Sequence, residues 1–74
     1  MRRFNLMNSR GECEYSYDGS RYTPLQICED AIARGWIDSG YAVWPAAIGD
    51  ALYALLKLDS DGTVGSTGYY LEES

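Results

Sequence analysis

The sequence predicts an α+β fold: a small antiparallel sheet, made of an N-terminal hairpin and a C-terminal segment, covered by two helices. Three observations predict it. Residues 12–17 alternate between two classes of side chain, residues 23–35 carry both end signals of a helix, and residues 44–58 form an apolar run long enough for a second one. At 74 residues, of which 46% are apolar, the chain is globular, and residues 1–74 make one domain with one core.

Arg3 to Asn8 (RFNLMN) alternates weakly, and Glu12 to Tyr17 (ECEYSY) follows the turn residues Ser9-Arg10-Gly11 and alternates cleanly. Together they read as a β-hairpin. Cys13, Tyr15 and Tyr17 share one face of the second strand and Glu12, Glu14 and Ser16 the other, so the cysteine and tyrosines are expected to face the core. Asp18-Gly19-Ser20 ends the strand.

Thr23-Pro24 starts the first helix, with Thr as N-cap and Pro in the first turn, and Gly35 ends it. Leu25, Cys28, Ile32 and Trp36 are expected to line its buried stripe, with Gln26, Glu29, Asp30 and Ala33 outside. Arg34 suits the last turn. Asp38-Ser39-Gly40 turns the chain.

Trp44 to Leu58 (WPAAIGDALYALLKL) reads as the second, central helix. Pro45 fits its first position, and Ile48, Ala51, Leu52, Leu55 and Leu58 recur at spacings of three and four. Asp50 and Lys57 lie at the ends that the helix dipole favours. Gly49 costs about 1 kcal/mol there. A helix apolar on nearly every side leaves a short chain with surface for a partner. Total stability is expected at roughly 4 to 11 kcal/mol, so Leu52→Ala would remove a good part of it. After Leu58, the turn-rich DSDGTVGSTG leads to Tyr69-Tyr70-Leu71, which reads either as a short strand added to the hairpin or as a loose tail.

Charge is unevenly placed. The net charge is −5, yet five acids and five arginines balance through Ile37, whereas from Asp38 onward six acids (Asp38, Asp50, Asp59, Asp61, Glu72, Glu73) face Lys57 alone. Direct nucleic-acid binding is disfavoured, because phosphate contacts need clustered Lys and Arg. A protein complex with a basic surface is the better electrostatic partner.

There is no histidine, and the cysteines are Cys13 and Cys28 alone. No serine or cysteine has an imidazole base, and two thiols make a poor zinc site, so neither catalytic residues nor a metal or other cofactor is expected. Two free core thiols or a Cys13–Cys28 bridge both fit. MRRFNLMN lacks the apolar run of a signal peptide, and the longest apolar segment is too short to span a bilayer, so the expected location is the cytoplasm.

Leu58 to Val64 (LDSDGTV) resembles the first motif of the haloacid dehalogenase superfamily of phosphatases. That resemblance implies a nucleophilic Asp59, an acid-base Asp61 and magnesium between them. It covers these residues only, and just ten residues follow for the lysine and further acids that the family supplies downstream. Calcium binding by an EF-hand loop fails on spacing, since Gly62 falls at the fourth position and Tyr70 at the twelfth. A non-enzymatic chain is the expectation.

The surplus tyrosines carry the remaining signal. Tyr69 and Tyr70 beside Glu72 and Glu73, together with Asp59 and Asp61, have the composition of a protein-binding patch in which aromatic anchors are ringed by charge. In size, acidity and lack of catalytic groups the chain resembles the small inhibitors that phages and mobile elements encode, notably anti-CRISPR and DNA-mimicking anti-restriction proteins. The resemblance implies a stoichiometric inhibitor that occupies a basic nucleic-acid-binding or docking surface of a bacterial defence complex. The other reading is a structural or regulatory homo-oligomer, such as a homodimer, assembled through the apolar central helix.

Overall fold

The computed structural model describes residues 2–38 and 42–74, and in it the chain forms a five-stranded antiparallel sheet with one helix packed on one face. Strands β1 (Arg3–Met7) and β2 (Cys13–Asp18) make the expected hairpin. Asn8, 6% exposed, organises its turn. Its Oδ1 accepts from the Arg10 and Glu12 backbone N–H groups at 2.9 and 3.0 Å, and its Nδ2 donates to Glu14 at 2.9 Å. The hairpin holds one surprise. A shift of register between Leu6 and Met7 pairs Cys13 with Met7, while Tyr15 and Tyr17 pair with Leu6 and Phe4. Opposed residues share a face, so the bulge moves Cys13 to the side away from the core, where it is exposed.

Helix α1 (Pro24–Ala33) starts as the sequence indicates: the Thr23 hydroxyl accepts from the Gln26 N–H, and the Gln26 side chain accepts from the Thr23 N–H at 2.9 Å. Gly35, at φ 79°, ends it, because that backbone is costly for any residue with a Cβ. Its buried stripe is Ile27, Cys28 and Ala31, with Ile32 and Trp36 half-buried beside it. Leu25, expected inside, is 50% exposed, so the stripe lies about one residue round the helix from the predicted one.

The central helix is not formed. Residues 44–58 fold as a β-hairpin, β3 (Ala42–Gly49) and β4 (Leu52–Leu58), joined at Asp50-Ala51. The same apolar run fits either structure, because a strand with apolar side chains on both faces loses its period of two and looks like an all-round apolar helix. Pro45 is accommodated on β3 because β3 is an edge strand, where a missing N–H breaks no ladder. Ala51 adopts φ 57°, the conformation that hairpin turns normally give to Gly or Asn. An alanine there conceals the turn.

The C-terminal segment is a ten-residue strand, β5 (Val64–Glu73), in the middle of the sheet order β2-β1-β5-β4-β3. It pairs with β4 and β1, which closes the first and last parts of the chain on each other. Near Leu55 the register slips, so that Ala54 faces Tyr70 but Leu56 faces Ser66. Gly68 at φ 85° lets the chain bulge there, and the Thr67 hydroxyl donates to the Leu55 carbonyl at 2.7 Å. The expected two-helix fold is thus corrected to one helix on a five-stranded sheet. Of the turn expected at Asp38-Ser39-Gly40, the last two residues lie outside the described ones.

The core lies between α1 and the sheet. Phe4, Leu6, Tyr17, Ile27, Cys28, Ala31, Ile37, Leu55 and Leu71 are buried in it, all on the helix side. Tyr17 Oη donates to Asp30 Oδ2 at 2.6 Å, and Arg34 Nε donates to the same oxygen at 2.7 Å. The bond from Tyr17 ties β2 to α1, and the one from Arg34 fixes the Asp30 carboxylate from within the helix end. Hydrogen bonding from Tyr17 holds the Asp30 carboxyl below the usual carboxylate range, and burial pushes the Tyr17 phenol up.

Candidate protein-binding surface

Strand geometry sorts the predicted site residues into separate places. Asp59 and Asp61 occupy the β4–β5 turn, where Asp59 N–H donates to the Thr63 carbonyl at 2.9 Å and Asp61 Oδ1 accepts from the Thr63 N–H at 2.9 Å. That bond lowers the Asp61 pKa. The stretch that resembles a phosphatase motif is therefore a solvated hairpin turn, with Asp61 capping it. Glu72 and Glu73 sit at the far end of β5, about 25 Å away at strand rise. Glu73 points to the helix side and pairs with Arg2, while Glu72 points the other way, opposite Leu52 and Asn5.

The two tyrosines part in the same manner. Tyr69 packs against the core and, with Trp36, Ile37, Asp38, Lys57 and Thr67, lines a cleft of about 130 Å³. This is below the ~300 Å³ or more of a typical small-molecule site. Tyr70 lies on the opposite face, between Ala54 of β4 and Met7 of β1. The six residues do not form one patch; the four acids bracket the sheet from its two ends, and the two tyrosines lie between them on opposite faces.

What lies between the acids was missed at the level of sequence. The face of β3, β4 and β5 turned away from α1 carries Ala42, Trp44 and Ala46, then Leu52, Ala54, Leu56 and Leu58, then Val64, Ser66 and Tyr70. Among the described residues no element covers it, because the single helix sits on the other side. Down to Glu72 it has no charged side chain. The total accessible surface, 4573 Å², matches the ~4,600 Å² that size scaling gives an 8.3 kDa monomer. A signal for this face was present in Leu52, Ala54, Leu56 and Leu58 at a period of two, but Tyr53 and Leu55 between them are also apolar.

The rim has the opposite character. Asp50 at the β3–β4 turn and Glu72 beside it are exposed at one end, and Asp59 and Asp61 at the other. Lys57 points to the helix side and approaches Asp59 at 3.8 Å. Cys13 and Cys28 are both free, one exposed and one buried on opposite sides of the sheet, which excludes the bridge between them. Burial pushes the Cys28 thiol up to about 12. Among the described residues, no cluster of three or more Cys, Asp or Glu side chains could hold a metal, and no helix is long and apolar enough to cross a membrane. In comparisons with known proteins, no family model, no curated protein and no solved structure matches this chain.

Proposed function

We propose that the chain is a non-catalytic protein-binding inhibitor, of the kind that phages and mobile elements encode, which occupies a basic surface of a bacterial defence complex of the CRISPR-Cas type. The observation that carries this reading is the placement of charge: Asp50, Asp59, Asp61 and Glu72 are all exposed, at two ends of one sheet about 25 Å apart. A nucleic-acid-binding groove presents Lys and Arg over such a length, because it must follow a phosphate backbone. Acids held at that spacing by a rigid sheet compete for the same cations without needing to be read as sequence. Inhibition is then by occupancy. Tyr69 supports the core and Tyr70 lies away from the turn acids, so the carboxylates are the recognising groups.

The test is retention of a nucleic-acid-handling complex from bacterial lysate, at low and moderate salt, by the parent and by Asp59→Asn/Asp61→Asn/Glu72→Gln. Glu73 is left intact because it points to the helix side and is hydrogen-bonded to Arg2, whereas Asp59 stays exposed with Lys57 no nearer than 3.8 Å. The parent is expected to retain the complex and to displace its nucleic acid, more weakly as salt rises, and the variant to lose it. Equal retention by both, or by neither, removes the reading.

A further inference from the structure

We propose that the cleft between the end of α1 and strands β4 and β5 receives the guanidinium of one arginine side chain of a partner protein. This deepens the inhibitor reading and rests on it for the basic partner, and it adds which side chain enters and where.

The cleft has a cause in the register. Lys57 of β4 is paired with Gly65 of β5, so the residue opposite Lys57 on the helix side contributes no side chain. Trp36, Ile37 and Asp38, which follow α1, border the gap from one side, and Thr67 and Tyr69 border it along β5. A cavity of about 150 Å³ holds one benzene ring, so 130 Å³ suits a group of about six heavy atoms, a guanidinium with its adjoining methylenes. A whole metabolite does not fit.

Charge decides the sign of the occupant. Among the described residues that line the cleft Lys57 alone is cationic, and Asp59 lies 3.8 Å from it, while Asp38 is a second carboxylate at the same mouth. Two carboxylates to one ammonium leave a negative sum however they pair. Arg34 stands 5.2 Å from the centroid of the Trp36 ring, but its charge is met by Asp30 at 2.7 Å. An anion would find no donor in Thr67, whose hydroxyl donates to the Leu55 carbonyl at 2.7 Å and accepts from the Tyr69 N–H at 3.2 Å. The walls select further. The rings of Trp36 and Tyr69 attract a cation, and a guanidinium, planar and weakly hydrated, gains more against them than the ammonium of lysine.

The experiment titrates the purified chain with capped arginine, N-acetyl-arginine amide, at fixed ionic strength. It follows Trp36 emission in Trp44→Phe, where Trp36 is the sole tryptophan. The amide resonances of Thr67 and Tyr69 in the parent give the same reading with both tryptophans in place. A saturable change with a midpoint in the millimolar range is expected, with capped lysine weaker by about threefold or more. Asp38→Asn is expected to weaken capped arginine about threefold, and Lys57→Gln, which removes a like charge, to tighten it about twofold. Absence of a saturable change overturns the proposal. So does a cleft that inorganic phosphate or acetate fills and that Lys57→Gln empties. Capture of the complex from lysate separates the two readings: if capped arginine binds while no complex is retained, the inhibitor reading falls and the guanidinium site stands. If the complex is retained while capped arginine fails, the rim acids act alone and the cleft proposal falls.

Discussion

Leu55 and Leu56 are neighbours on one strand, identical in side chain, and live in different environments. Leu55 points to α1 and is fully buried with Phe4, Leu6 and Leu71; Leu56 points away and is half-buried among Trp44 and Ser66. The difference between the two faces comes from cover, not from composition. One helix of ten residues can shield only one side of a sheet, so the apolar side chains on the other side gain no comparable burial within the chain.

The sharpest way to break this comparison is to truncate both leucines. Leu55→Ala is expected to cost about 3 kcal/mol or more, from lost transfer energy and the cavity left behind. In dilute solution Leu56→Ala is expected to cost under ~1 kcal/mol, because much of that side chain stays in contact with water. Urea midpoints of both variants check it. Equal losses at micromolar concentration would mean that both faces are covered. The sequence directs attention to Leu52 as the costly position, through a helical spacing that the chain does not adopt; Leu52 belongs to the open face.

How the reading of the sequence divides is physical. The β1–β2 hairpin and α1 were legible because their signals are local: a polar turn at Ser9-Arg10-Gly11, a Thr-Pro start, and Gly35 at the end. The β3–β4 hairpin was not, because β4 is apolar on both faces and its turn uses Ala51 where glycine would have announced it. Strand β5 was offered only at Tyr69-Tyr70-Leu71, and there as one of two alternatives beside a loose tail, since Gly65 and Gly68 make its first half look like loop; that half is held by pairing with β4, a contact distant in sequence. The candidate site inherited this gap. Asp59, Asp61, Glu72 and Glu73 were legible as an acidic excess, but which of them share a surface depends on strand parity and on Arg2.

A second test sharpens how firmly the covered face is held. Asp30 receives hydrogen bonds from Tyr17 and Arg34, so Asp30→Asn is expected to cost about 1 to 2 kcal/mol at neutral pH. The Asp30 pKa is depressed in the folded chain, so its contribution is present above the ordinary value of 3.8 and is lost as pH falls through the folded value. The gap between parent and variant should therefore close below about pH 4. Tyr17 works at the other limit. Its folded pKa is raised, so stability falls as pH rises above the ordinary value of 10.0. Parallel stability curves for parent and variant across the acid range would mean that Asp30 does not bridge helix and sheet.

The smallest expected effect bears on the open face most directly. Ala51, at φ 57°, sits in the turn that sets the register of β3 on β4, and a slip of one residue there would exchange the two faces of the hairpin. A residue with a Cβ is strained in that conformation by about 1 kcal/mol, which glycine relieves while losing part of the gain to a more flexible unfolded chain. Ala51→Gly is expected to raise stability by about 0.5 to 1 kcal/mol, seen as a higher urea midpoint at unchanged slope. A loss of stability would instead place Ala51 at negative φ, where glycine only adds freedom to the unfolded chain.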